Sequence, residues 1–206
     1  MSGRDHHGAD GGFFADIHVE DAALSRDLVL SLLELAIELA REGREGRKVG
    51  TIFVLGDEDA VLERSRCLIL DPLAGHPPES KQLNDPNLRE TVKELAQLDG
   101  GFVVSADGVV VSAARYFSAS LEDAEPMLGL GSRHVAAASV TKQTRALAMV
   151  VSESSVVRLF ERGRLTSEIL PELWLLSRFS SHVQGPRLAR HPAENIAVVS
   201  RADDAH

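Results

Sequence analysis

The stretch Gly131-Ser132-Arg133-His134-Val135-Ala136-Ala137-Ala138 sets an arginine and a histidine where small residues open a helix. A helix N-terminus presents unpaired backbone N–H groups and the positive end of the peptide dipoles. Side-chain donors placed there strengthen a position already suited to phosphate oxygens. Upstream, Leu98-Asp99-Gly100-Gly101 puts a carboxylate at a glycine-rich turn, where it can hold a cation or steer a hydroxyl nucleophile. An anion site and a carboxylate together outline nucleotide chemistry.

Several elements must position these residues. Leu24, Leu28, Leu32, Leu35 and Leu39 recur at helical spacing and predict a long helix over 24–41, stopped near Gly43 and Gly46. Residues 49–55 form a β-branched apolar run that reads as a buried strand, 57–64 as a short helix, and 67–70 as a second buried strand. Pro72, Gly75, Pro77 and Pro78 make 71–84 a loop. Asp85 caps a helix that begins at Pro86 and ends at Leu98-Asp99-Gly100. Ala106-Asp107-Gly108 joins strands over 102–105 and 109–112 as a hairpin. Residues 118–131 read as a loop, 133–145 as the helix opened by Arg133, and 147–152 and 156–160 as paired strands. Gly163 marks a turn, 171–179 reads as a short helix, and 196–199 as a short strand in an otherwise polar tail. The sum is an α/β fold: a single domain with a central mixed β-sheet flanked by helices. It occupies 17–180, after a flexible segment over 1–16 and before a tail over 181–206.

The 206 residues carry 22 basic and 31 acidic side chains, a net charge of −9. That balance argues against nucleic acid as the main ligand. Only Lys48, Lys81, Lys93 and Lys142 are lysines, an arginine preference that points to a high-salt or high-GC host. The longest apolar run is broken by Ser31, Glu34 and Glu38, so no membrane span is expected, and no signal-peptide core precedes it. The single cysteine, Cys67, sits in an apolar run and is expected to be buried and inert, which fits a cytoplasmic protein. His6, His7, His18, His76, His182, His191 and His206 lack paired ligand spacing, so zinc is not expected. Neither a phosphate-binding loop ending in Gly-Lys-Ser/Thr nor a Gly-x-Ser-x-Gly elbow occurs.

Asp99-Gly100-Gly101, Ser132-Arg133-His134 and Ser152-Glu153 follow one another in a fixed frame of strands and helices. That frame resembles the diadenylate cyclase domain family from about residue 49 to 165. The run Arg47-Lys48-Val49-Gly50-Thr51-Ile52 and the helix after Asp85 are similar to its stand-alone archaeal branch. The resemblance implies condensation of two ATP into cyclic di-AMP, with a divalent metal ion (Mn2+ or Mg2+), in a homodimer or higher homo-oligomer in which two sites face each other. By the same resemblance, Asp99 holds the metal or orients the 3′-hydroxyl, with Gly100 and Gly101 beside the nucleotide. Ser132, Arg133 and His134 hold the triphosphate, Tyr116 contacts adenine with Phe117 as its competitor, and Ser152 and Glu153 reach the phosphates or metal. Two departures stand out. The family's Asp-Gly-Ala is Asp99-Gly100-Gly101 here, and its Arg-His-Arg is Arg133-His134-Val135, one arginine short. Arg115, Lys142 and Arg145 are candidates to replace that cation. Two alternatives remain open: a nucleotide-binding or sensor domain of the same fold with weakened catalysis, and an interaction module whose Arg133-His134 pair is only a cap.

Overall fold

The computed structural model describes residues 19, 24–119 and 131–172, together with the backbone of 187–191 and 196–200. The chain divides into two compact units, one being Val19–Pro171 and the other the two ends, Met1–His18 and Glu172–His206. The expectations for 1–16, for most of the 118–131 loop and for a helix over 173–179 lie outside the described residues.

Within the larger unit the order is α1 (Arg26–Glu42), β1 (Thr51–Leu55), α2 (Glu58–Glu63), β2 (Ser65–Cys67), α3 (Pro86–Leu95), β3 (Gly101–Val104), β4 (Val110–Phe117), α4 (Ser132–Gln143), β5 (Leu147–Val151), β6 (Val157–Glu161) and β7 (Arg164–Ile169). The seven strands form one sheet in the order β2-β4-β3-β1-β5-β6-β7. Only β1 and β3 run parallel; every other neighbour pair is antiparallel, so the sheet is mixed as expected. In the smaller unit β8 (Arg187–His191) pairs antiparallel with β9 (Ile196–Ser200); the polar tail signalled only the second of these.

Local chemistry accounts for the helix starts. The Ser25 hydroxyl accepts the Leu28 N–H at α1, and the Asp85 carboxylate accepts the Asn87 N–H at α3 beside Pro86. The sheet is buried on both faces, which is why β1 and β5 read as unbroken apolar runs. Ile52, Val54, Val103, Ala148, Val150 and Phe160 form one face with α4. Phe53 and Phe102, stacked at 5.0 Å, and Met149 occupy the other, which α1 covers. Ala136, Ala137, Ala138, Ser139, Val140 and Thr141 are all buried, so the middle of α4 is packed tightly while its first turn reaches the surface. At its far end the Gly163 N–H donates to Thr141 Oγ1, tying in the β6–β7 turn.

The expectation of a buried strand over 67–70 is corrected. The strand is Ser65–Cys67, an edge strand paired only with β4, and Leu68, Ile69 and Leu70 beyond it are exposed. Cys67 is exposed as well, not buried. An apolar run of four residues fits an edge as well as a sheet centre, and only the strand order separates the two. Among the described residues no helix is long and apolar enough to cross a membrane.

Candidate active site

A cleft of about 350 Å3 opens where the C-terminal end of α3, the start of β3, β4 and the start of α4 meet. Asp99, Gly100, Tyr116, Phe117, Ser132 and Arg133 all line it, with Arg115 and Leu68 alongside. Residues far apart in sequence thus share one hollow, sized for a small-molecule ligand.

The Asp99 turn is shaped by its glycines and by β1. Gly100 has φ +98°, and a Cβ there would lie 2.7 Å from the Arg115 carbonyl oxygen, so no other residue fits. Its own carbonyl accepts from Thr51 Oγ1 at 3.4 Å, which pins the turn to β1 and leaves the Asp99 side chain exposed. Gly101 has a different reason. A Cβ there would come within 2.3 Å of the Ile52 carbonyl oxygen and 2.4 Å of its Cγ2, so the glycine lets β3 close onto β1. Gly101 is buried in the strand and does not line the cleft.

The β3–β4 register slips twice between Gly101 and Val104, and Ala114 takes φ +51° at that irregularity. A bulge of this kind re-aims side chains beside a site. After it, Tyr116 is 41% exposed on the cleft while Phe117, 3% exposed, belongs to the core cluster. Tyr116 therefore presents a ring to the hollow and Phe117 only part of its wall. Arg66, opposite Tyr116 on β2, stacks its guanidinium over that ring at 5.0 Å.

Arg115, in the wall of the cleft, has its guanidinium taken up by the fold. Its Nε donates to Ser65 Oγ at 2.9 Å, and its Nη2 to the carbonyl oxygens of Ser65 and Leu62 at 2.9 and 3.0 Å, with Nη1 3.3 Å from Cys67 Sγ. Lys142 lies about 14 Å along α4 from Arg133 at the helical rise, and Arg145 is bound to Asp57. None of the three candidates stands in for the missing arginine, and Val135 is half-buried.

Gly131 caps α4 and has no side chain to occupy the first-turn amides. Ser132 is exposed beside it, and Arg133 reaches Glu153 across the cleft rim, Nη1 to Oε1 at 3.4 Å. Glu153 is thus brought to the site through Arg133. Ser152 is not among the cleft residues; its hydroxyl is 2.8 Å from that of Ser154 within the β5–β6 turn.

His134 faces inward, 6% exposed, with its ring 6.1 Å from that of Phe160. Arg158 Nη1 stands 3.1 Å from its Nε2, and Arg158 Nε donates to Glu168 at 2.7 Å. A guanidinium only donates, so Nε2 accepts and Nδ1 carries the proton. Burial, then the Arg158 charge, holds the imidazole below its ordinary pKa, while the nearby Gly131 carbonyl opposes the shift without a well-formed hydrogen bond to Nδ1. Arg158, Glu168 and Arg66 carry no local motif that could have singled them out; their place depends on pairings across the sheet.

An arginine, a helix N-terminus, an exposed carboxylate and a part-exposed tyrosine ring suit an anionic ligand with a planar ring. A family model described as DisA bacterial checkpoint controller nucleotide-binding (DAC) matches residues 38–165. A diadenylate cyclase of Methanocaldococcus jannaschii is 44% identical over 146 residues, 70% of this chain and 46% of that protein. One of Haloferax volcanii is 39% identical over 150 residues, 71% of this chain and 54% of that protein. The chain spans about half the length of the curated relatives it matches. A solved structure described as a hypothetical membrane spanning protein from Bacillus cereus aligns at a TM-score of 0.50 and 21% identity, over 70% of this chain and 65% of that one, a likeness of fold alone. The family match runs from within α1 into β7 and takes in the Asp99 turn and the start of α4, so this chain belongs to the diadenylate cyclase domain family.

Proposed function

We propose that this chain condenses two ATP into cyclic di-AMP, releasing two pyrophosphates. The observation that carries the reading is the convergence of Asp99, Tyr116, Ser132 and Arg133 on one cleft, inside a domain of this family. Each bond forms when the 3′-hydroxyl of one nucleotide attacks the α-phosphorus of the other and pyrophosphate departs. Such a displacement depends on alignment and on neutralising the phosphate charge.

The residues divide the task by position. Tyr116 offers its exposed face to adenine, and Ser132 and Arg133 receive the triphosphate at the start of α4. Arg133 exchanges the Glu153 carboxylate for phosphate oxygens when a nucleotide enters, since a half-exposed ion pair at 3.4 Å is weakly held. His134 acts from behind, as a neutral imidazole fixed by Arg158 under the helix start.

The donor set fits a small hard cation shared with the substrate. Asp99 is one exposed carboxylate, and among the described residues no group of three or more His, Cys, Asp or Glu forms a cage. One carboxylate plus substrate phosphates is how Mg2+-like ions are bound. Asp99 would hold the ion, which supplies positive charge for the phosphoryl oxygens and lowers the hydroxyl pKa.

One cleft serves one ATP, so the ring closes only when two copies face each other, and a two-fold homodimer is the simplest arrangement. Val135 supports a second reading, a nucleotide-binding domain with weakened turnover. Chromatography after incubation with ATP and Mn2+ or Mg2+ separates them. Cyclic di-AMP supports the cyclase; ATP binding without product supports the weaker form. ATP affinity unmoved by Arg133→Ala would overturn both. Inactive Asp99→Asn chains mixed with wild type should depress activity beyond dilution, and strict proportionality would count against an exchanging dimer.

A further inference from the structure

Gly50 precedes β1 directly, and its missing side chain is where the Arg133 guanidinium sits. A Cβ built there would lie 2.7 Å from Arg133 Nη1, 3.2 Å from Arg133 Cζ and 3.2 Å from Glu153 Cγ. The backbone of Gly50 does not need glycine's freedom, since its φ is outside the left-handed region. Gly50 is buried, and the three atoms nearest to such a Cβ are the tip of one arginine and the stem of one glutamate, not backbone. Gly101 is the contrast: there the nearest atom is the Ile52 carbonyl oxygen, so an added methyl disturbs the sheet itself.

We infer that Gly50 is a positioning residue for Arg133, a notch in the chain that seats the guanidinium against Glu153 at the start of α4. The assignment rests on the proposed role of Arg133 in holding the triphosphate. An alanine methyl in the notch would push Nη1 outward by roughly 1 Å to reach ordinary contact distance. Displacements of that size cost up to about 10²-fold when they misplace a group that orients substrate. The guanidinium's fork must meet the phosphate oxygens at a set angle, so the loss falls on nucleotide binding first. Glu153 takes part as the counter-charge that keeps the fork in the notch while no nucleotide is bound.

The experiment uses the full chain with Gly50→Ala, Arg133→Ala and the double variant. Affinity is measured with 3′-deoxy-ATP and Mg2+, which lacks the attacking hydroxyl, and turnover with ATP. Gly50→Ala is expected to weaken 3′-deoxy-ATP binding and raise KM about tenfold, with kcat and melting midpoint changed far less. In the Arg133→Ala background the same change should add little, because the closest displaced atoms are gone and only the flexible Glu153 stem, at 3.2 Å, remains to yield. If Gly50→Ala lowers the folded yield, the double variant must recover it. Wild-type affinity in Gly50→Ala, an equal loss on both backgrounds, or no recovery in the double variant would each overturn the assignment. A wild-type chain that binds 3′-deoxy-ATP through Arg133 but makes no cyclic di-AMP would sink the cyclase reading while leaving this test intact.

Discussion

Arg115→Met decides whether an arginine in the wall of the cleft serves the ligand or the fold. The structure has its guanidinium donating to Ser65 Oγ, the Ser65 carbonyl and the Leu62 carbonyl at 2.9, 2.9 and 3.0 Å. These bonds tie β4 to the edge strand β2 and to the end of α2, beside the β2–β4 backbone ladder. Methionine keeps the aliphatic stem and removes every donor. A hydrogen bond from a charged donor contributes about 1.5–3 kcal/mol alone, but three on one group are not additive. The Leu62 carbonyl also keeps the Arg64 N–H as a donor, so it is not left bare. The expected loss is therefore about 2–4 kcal/mol, a fall in melting midpoint of roughly 5–15 °C for a domain of this size. Thermal melts by circular dichroism read that fall. ATP affinity and turnover, taken where both proteins are folded, should stay within a few-fold of wild type. A variant that melts like wild type yet has lost ATP affinity would refute the reasoning and place the guanidinium on the triphosphate.

Four further outcomes follow from the same geometry. Asp99→Asn should abolish cyclic di-AMP formation with an unchanged melt, because the exposed side chain contributes charge and not packing; wild-type turnover would remove Asp99 from the chemistry. Gly101→Ala should destabilise the chain by about 1–3 kcal/mol in denaturant titration, as overpacked sites do, since β3 must retreat from the Ile52 carbonyl; an unchanged midpoint would show that the strands yield freely. His134 is held below its ordinary pKa of 6.5 when folded, so the unfolded chain takes up a proton first as pH falls. Stability present above about pH 6.5 is then lost as pH drops through the folded value, and His134→Gln should flatten that part of the denaturant-midpoint profile; an unaltered profile would contradict it. Val135→Arg should raise ATP affinity by restoring a second cation in the first turn of α4; a tenfold loss with intact folding would show that this first turn has no room for one.

What the sequence determined by itself is local. The Asp85-Pro86 start of α3, the apolar runs of β1 and β5, the Ala106-Asp107-Gly108 turn and the opening of α4 follow from caps, periodicity and turn residues within a few positions of one another. The Asp99 turn and the Ser132-Arg133 step were legible for the same reason, and both line the cleft. Strand order was not written in any such window. It sent the run after Cys67 to an exposed edge, because four apolar residues satisfy a sheet centre and a rim equally well until neighbours are assigned. It decided that Arg115 bonds to β2 and that Arg158, on β6, meets His134 from the far side of α4. The pleat alone sets Tyr116 and Phe117, adjacent on β4, on opposite faces, but the slipped register at Ala114 bears on which of the two meets the core. Only the approach of the chain before β1 to the first turn of α4 gave Gly50 its meaning, since a missing side chain matters only for what moves into its place.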